Sequence, residues 1–227
     1  LEKAKIIYDY IEKNMTYSNV SFMHSALVPQ KASRCINTKL GDCKDFSTLF
    51  VAMGKEVGLK ANLVLVNTRD NGENVMTQPT IGFNHCIVKL EADGKPYIIE
   101  LTDQKLSFAA MPSILKNSSC LVIPREGEQM TSKLVQIESL NRPLNASKRD
   151  TKLSFSGNDM MVERKTTKYG EFARSSRGTY ADIGKEKQEE SMSQAISKDF
   201  TTPVKLTSLT FSDLKSLTDT VTYNYTF

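Results

Sequence analysis

An α+β protein in two domains is what this sequence predicts: N-terminal helices packed on an antiparallel sheet, then a β-rich α+β domain. Three observations predict it. Helical periodicity is concentrated before residue 58, a strand–turn–strand pattern follows near residue 93, and alternating or β-branched stretches dominate past residue 132. The 227 residues, 39% of them hydrophobic, are enough to bury a core. Lys and Arg outnumber Asp and Glu by 30 to 26 with no long basic run, so nothing here calls for nucleic acid or an anionic membrane. No stretch approaches the ~18 apolar residues of a membrane-spanning helix. The chain opens at Leu1 already inside a helical pattern, which reads as a piece of a longer chain with flanking domains.

Each element has its own signal. Ile6, Ile7, Tyr10, Ile11 and Met15 recur near i, i+4 and predict an amphipathic helix over residues 2–15. Residues 16–42 are polar, hold Pro29 and lack a period, so they are expected to form a long loop that wraps the site it leads into. Phe46, Leu49, Phe50, Met53 and Val57 then define a helix that Gly58 stops. "ANLVLVNT" reads as a buried strand and residues 69–82 as a second polar loop that, with the first, walls a cleft. "FNHCIVKL" and "KPYIIELT" flank Ala92-Asp93-Gly94-Lys95, a hairpin signal, and "SCLVIP" (119–124) is a further strand.

The polar, Gly-bearing "REGEQMTS" (125–132) predicts a boundary, giving a core domain over 1–128 and an accessory domain over 129–227. In the latter "KLVQIESL", "TKLSFSG", "MMVERKTTKYG", "VKLTSLTF" and "DTVTYNYTF" read as strands, with a helix from about Tyr180 to Phe200. The final strand is expected to leave a sheet edge open. This half contains no Cys or His, so chemistry is expected in the first half.

The candidate chemistry starts at Cys43. Neither it nor Cys35, Cys86 or Cys120 sits in a Cys-x-x-Cys pair. At 100° per residue Phe50 lies about 20° from Cys43 and Phe46 about 60° away, so the thiol runs along the edge of the buried stripe and Lys44, Asp45 and Lys55 point out. Helix N-terminal N–H groups, with Asp42 as N-cap, favour a thiolate there, while the charges of Asp42 and Asp45 oppose it. The plainer reading is a small buried hydrophobe.

A base is needed. Of the two histidines, His24 lies in the first loop and His85 in a strand. If Asp93 and Gly94 form a two-residue turn, facing residues sum to 187, so Glu100 shares a face with His85 and Asp103 takes the other; a three-residue loop with a bulge would favour Asp103. Thiol, imidazole and carboxylate in that order make an activated nucleophile for carbonyl carbon. Zinc held by Cys43, His85, Cys86 and Cys35 is disfavoured because residues 85 and 86 point to opposite faces of one strand. No cofactor or metal is invoked.

At these residues the sequence resembles the transglutaminase-like family, a branch of the papain-like cysteine-protease superfamily. The matching text is "LGDCKDFSTLFVAMGKEVGLKANLVLV", "FNHCIVKL" and "GKPYIIELTD", over about the first 125 residues. It looks closest to bacterial members in which this core precedes a small β-rich domain. The resemblance implies Cys43 as nucleophile, His85 as base and Glu100 where the family usually has Asp, in "IELT". It also implies peptide or protein substrates and an extracytoplasmic setting. Larger family members place an indole N–H near the oxyanion, and this chain has no Trp. The backbone N–H of Cys43 is then one donor, with Gln30 or Tyr17 as the second. The expected activity is amide hydrolysis or glutamine acyl transfer; the alternative is a binding or scaffold module that keeps the fold without turnover.

Overall fold

Helix α1 (Glu2–Asn14) buries Ala4, Ile7, Tyr8 and Ile11 against its neighbours and leaves Ile6 in solvent. It belongs to a computed structural model that describes residues 1–18, 28–72, 82–108, 110–130, 134–137, 145–201 and 203–227. The chain divides into two compact units, Leu1–Gln104 with Phe108–Arg142 and Lys105–Ser107 with Pro143–Phe227. Much of both proposed cleft walls, including His24, lies outside the described residues.

The first unit departs from expectation in residues 16–42. They hold β1 (Thr16–Tyr17), helix α2 (Ala32–Thr38) and β2 (Leu40–Gly41), with β1 and β2 paired in parallel. Helix α2 leaves no signal in the sequence because it has only seven residues and buries only Cys35, too little to print a period. Helix α3 (Cys43–Glu56) buries Phe46, Leu49 and Phe50, each worth about 1.5–3 kcal/mol on leaving water. Val57 caps it and Gly58, at φ +80°, turns the chain away.

Helix α3 lies against β3 (Lys60–Asn67) and β4 (His85–Ala92). With β5 (Lys95–Ile99), β6 (Ser119–Val122) and β7 (Val135–Gln136) these form an antiparallel sheet in the order β5-β4-β3-β6-β7. Val64, Val66, Ile87, Met111, Leu115, Cys120 and Ile137 make one buried cluster on it. The described residues of the "KLVQIESL" stretch, expected to open the β-rich half, form β7, which lies in this first sheet beside β6.

The second unit carries β8 (Ser147–Ser156), β9 (Asp159–Tyr169), α4 (Glu171–Tyr180), α5 (Lys185–Ser197), β10 (Ser208–Phe211) and β11 (Thr220–Thr226). Helix α4 is an addition to the expected elements. Its residues EFARSSRGTY offer a single large apolar side chain before Tyr180, and that one, Phe172, is exposed. The sheet order is β10-β11-β9-β8, which places the final strand inside the sheet and not at its edge. The alternation of β11 does mark a strand, but edge position depends on partners that no local pattern encodes. Val221, Tyr223, Tyr225 and Leu209 pack with Met192 and Ile196 of α5.

Arg177 of α4 is fully buried, yet its guanidinium finds three carbonyls: Ser216 O and Lys105 O at 3.1 Å each, and Thr218 O. A buried cation so placed replaces its hydration with fixed dipoles. Arg177→Met should lower stability by about 3 kcal/mol, because buried carbonyls lose charged donors. Urea unfolding monitored through the tyrosines checks this; an unchanged midpoint would show that the network contributes nothing.

Candidate functional site

Helix α3 begins with a capping box. Asp42 Oδ1 accepts from the N–H groups of Lys44 (2.9 Å) and Asp45 (3.2 Å), while Asp45 Oδ2 accepts from Asp42 N–H at 3.0 Å. The Cys43 N–H takes no part in this cap. Gly41 is required just before it, since a Cβ there would stand 2.7 Å from Asp45 Cβ and 3.0 Å from the Phe46 ring.

Lys44 departs from its expected outward position on the helix. It is buried, and its Nζ lies 2.6 Å from Asp42 Oδ2. The one carboxylate therefore both caps the helix and holds a buried ammonium. Helical periodicity gives direction around an axis and not burial by a neighbouring loop.

Cys43 is a free, buried thiol whose side chain acts on His85 closely enough to raise the imidazole pKa. The Nε2 of the His85 ring donates to Glu100 Oε2 at 2.7 Å. Glu100 is itself buried, and its second oxygen, Oε1, accepts from both the backbone N–H and the hydroxyl of Thr102, each at 2.7 Å. The turn between β4 and β5 is the two-residue form: Ala92 pairs with Lys95, and Asp93 and Gly94 take φ of 48° and 73°. Glu100 thus reaches the imidazole, and Asp103 does not replace it.

The electrostatics follow. Burial works against the His85 imidazolium, but the Glu100 carboxylate and the interactions of the ring with Cys43 and Glu100 outweigh it and push the pKa up to about 10. Burial likewise opposes the Glu100 carboxylate, yet His85 and Thr102 hold its pKa below the usual value. Burial pushes Cys86 up to about 12, with Cys43 adding to the effect; its carbonyl accepts from Ser47 Oγ at 3.1 Å.

The two oxyanion candidates separate. Gln30 Nε2 donates to Leu40 O at 2.8 Å and to Asp45 Oδ2 at 3.0 Å, so both amide hydrogens are used in pinning the loop to the α3 cap. Tyr17, paired with Gly41, sets its ring 6.1 Å from that of Phe46 over the first turn of α3. Burial, then the negative charge of Cys43, Asp42 and Glu100, pushes its hydroxyl up to about 12, so the phenol remains a donor. Among the described residues no group of three or more His, Cys, Asp and Glu could hold a metal ion.

Thr102 is a site residue to which the sequence analysis assigns no role. Its signal is present as the hydroxyl two residues past a buried carboxylate, a spacing that closes a local hydrogen-bonded turn.

The site thus sets a helix-borne thiol beside a strand-borne imidazole on an α+β core. Residues 1–98 match the model of the Transglutaminase-like superfamily. The matched span includes Cys43 and His85 and stops just short of Glu100. Among solved structures, a candidate protease from Parabacteroides distasonis is similar at 10% identity and a TM-score of 0.47, covering 99% of this chain and 45% of that one. This chain therefore spans under half of that protein's length. No match was found among curated proteins.

With its pKa raised, His85 stays charged through neutral pH. The stability it contributes is complete below its ordinary value of 6.5 and is lost as pH rises towards about 10. Ring-nitrogen NMR should accordingly find His85 protonated across roughly pH 5–8, and Glu100→Gln should bring its midpoint down into that window. A wild-type midpoint near 6.5 would contradict the arrangement.

Proposed function

We propose that Cys43, His85 and Glu100 carry out thiol-dependent hydrolysis of amide bonds in peptide or protein substrates. The observation that carries the reading is the His85 ring bonded to Glu100, which Thr102 holds from behind, with the Cys43 side chain near enough to raise the His85 pKa. In the first step the Cys43 sulfur, its proton held on His85, attacks the amide carbon. The carbonyl oxygen becomes an oxyanion facing the Cys43 N–H and the Tyr17 hydroxyl. His85 gives its proton to the departing amine, the C–N bond breaks, and a thioester remains. Water then attacks the thioester, losing its proton to His85, and the acid leaves with Cys43 restored as in the starting state.

Glutamine acyl transfer or deamidation shares the first step and differs only in the amine that leaves or the nucleophile that resolves the thioester. Hydrolysis is the form we assign, because water needs no dedicated amine site. Glu100 stands in for a shorter Asp, and its extra methylene is taken up by the Thr102 turn. An extracytoplasmic bacterial setting and flanking domains of a longer chain belong to the same proposal and rest on the resemblance alone.

Iodoacetamide at neutral pH should modify Cys43 ahead of Cys35, Cys86 and Cys120, and His85→Ala should slow that reaction about 100-fold. Tyr17→Phe should leave alkylation unchanged, since alkylation forms no oxyanion, while slowing hydrolysis of p-nitrophenyl acetate by roughly 100-fold. Peptide mapping and burst kinetics read the two. Labelling of Cys43 that ignores His85, with no acyl-enzyme trapped, would instead favour a binding module on the same fold.

A further inference from the structure

We propose that the free edge of β8 pairs antiparallel with β8 of a second copy of this chain, about a two-fold axis through Thr151. All ten residues of β8 are exposed, and among the described residues its only strand partner is β9. Such an edge is a row of unpaired N–H and C=O groups that natural proteins either blunt or use.

The register of the hairpin says which groups are free. Ser156 pairs with Asp159 around Gly157 and Asn158, and at the far end Tyr169 N–H donates to Ala146 O at 2.9 Å. In an antiparallel ladder residues alternate between bonding inward and facing away. The even-numbered residues of β8 therefore bond to β9. Ser147, Arg149, Thr151, Leu153 and Phe155 present their N–H and C=O groups outward. A second β8 can pair only through these odd positions, which removes half of all registers.

Charge selects among the remainder. With Thr151 on the axis, Arg149 faces Leu153 of the copy and Asp150 faces its Lys152, twice by symmetry. Cross-strand opposite charges on one face favour pairing and like charges oppose it. Moving the axis by one residue sets Asp150 against Asp150, or Lys152 against Lys152. Basic residues on an edge ordinarily keep strands apart, so the self-complementary Asp150–Lys152 spacing is what distinguishes this edge.

The apolar exposure fits the same partner. Leu153 is 54% and Phe155 74% exposed, on the face shared with Arg149. In the pair the Arg149 stem would cover Leu153 of the copy and Phe155 would lie over its Ser147 end, an isologous contact in which each copy supplies both halves.

Sedimentation of the full chain over a concentration series should show an apparent mass rising to twice that of the monomer. Thr151→Pro removes an outward N–H that β9 does not use, so circular dichroism should be preserved while the chain becomes monomeric. Thr151→Cys should crosslink to itself under mild oxidation, since paired Cα atoms lie about 5.5 Å apart. Ser147→Cys should not, because the two copies of that position are roughly 27 Å apart at 3.4 Å per residue. Both variants are made with Cys43→Ser, which removes the one native thiol expected to react, and Cys35, Cys86 and Cys120 are buried. A wild type monomeric at every concentration, a dimer that survives Thr151→Pro, or crosslinking at 147 in preference to 151 overturns the proposal. If Thr151→Pro fails to fold, the pair of cysteine variants decides it alone.

Discussion

The arrangement of the site depends on a parity. In a β-hairpin each added turn residue moves every following side chain to the other face, so the two-residue turn at Asp93-Gly94 decides which acid can reach His85. Gly94 and Asp93 both need positive φ, which Gly accepts freely and Asp tolerates. With this turn Glu100 falls on the His85 face and closes to 2.7 Å. One more residue would send Glu100 outward and bring in Asp103, whose arm is shorter and whose place in the following turn is different. The site is therefore fixed by backbone geometry about eight residues away from the imidazole, well before any side chain chooses a rotamer.

A second constraint acts on the thiol. The N-terminus of α3 carries a carboxylate pair, Asp42 and Asp45, that would by charge alone discourage an anion beside them. Both are occupied otherwise. Asp42 caps the helix and holds the buried Lys44, and Asp45 accepts from the Asp42 N–H and from the backbone and side chain of Gln30. Donors directed at these oxygens, together with the Lys44 charge, offset much of their field at the neighbouring sulfur. A buried ion pair of this kind contributes little net stability, but removing either partner would leave an uncompensated charge next to the nucleophile.

Sequence makes legible what has a period or a turn type. The apolar rows of α1 and α3, the β4–β5 hairpin and the strand β3 announce themselves, because each is more than three turns or several pleats long with one buried face. Cys43, His85 and Glu100 can be set in order from helix position and hairpin arithmetic alone. What stays hidden is short or cooperative. Helix α2 buries a single cysteine, α4 is held by Arg177 reaching carbonyls far along the chain, and Lys44 is buried by surroundings that its own helix does not encode. The exclusion of Gln30 as an oxyanion donor likewise needs its partners, Leu40 and Asp45, to be seen together.

Position 100 carries Glu, whose carboxylate stands one methylene further from the backbone than that of Asp. A carboxylate one methylene longer has an extra rotatable bond, which by itself would loosen its hold on the imidazole. Here both oxygens are spoken for: one by His85, the other by two donors of Thr102 lying only two residues on. The chain turns back immediately after β5 to make this possible, so the additional reach is taken up in a tight local loop and does not reappear as motion at the ring. Burial then strengthens each of these bonds by excluding water, although the same burial would make a lone carboxylate costly. The charge on Glu100 and the proton on His85 are thus mutually dependent: neither would persist at neutral pH in so dry a place without the other.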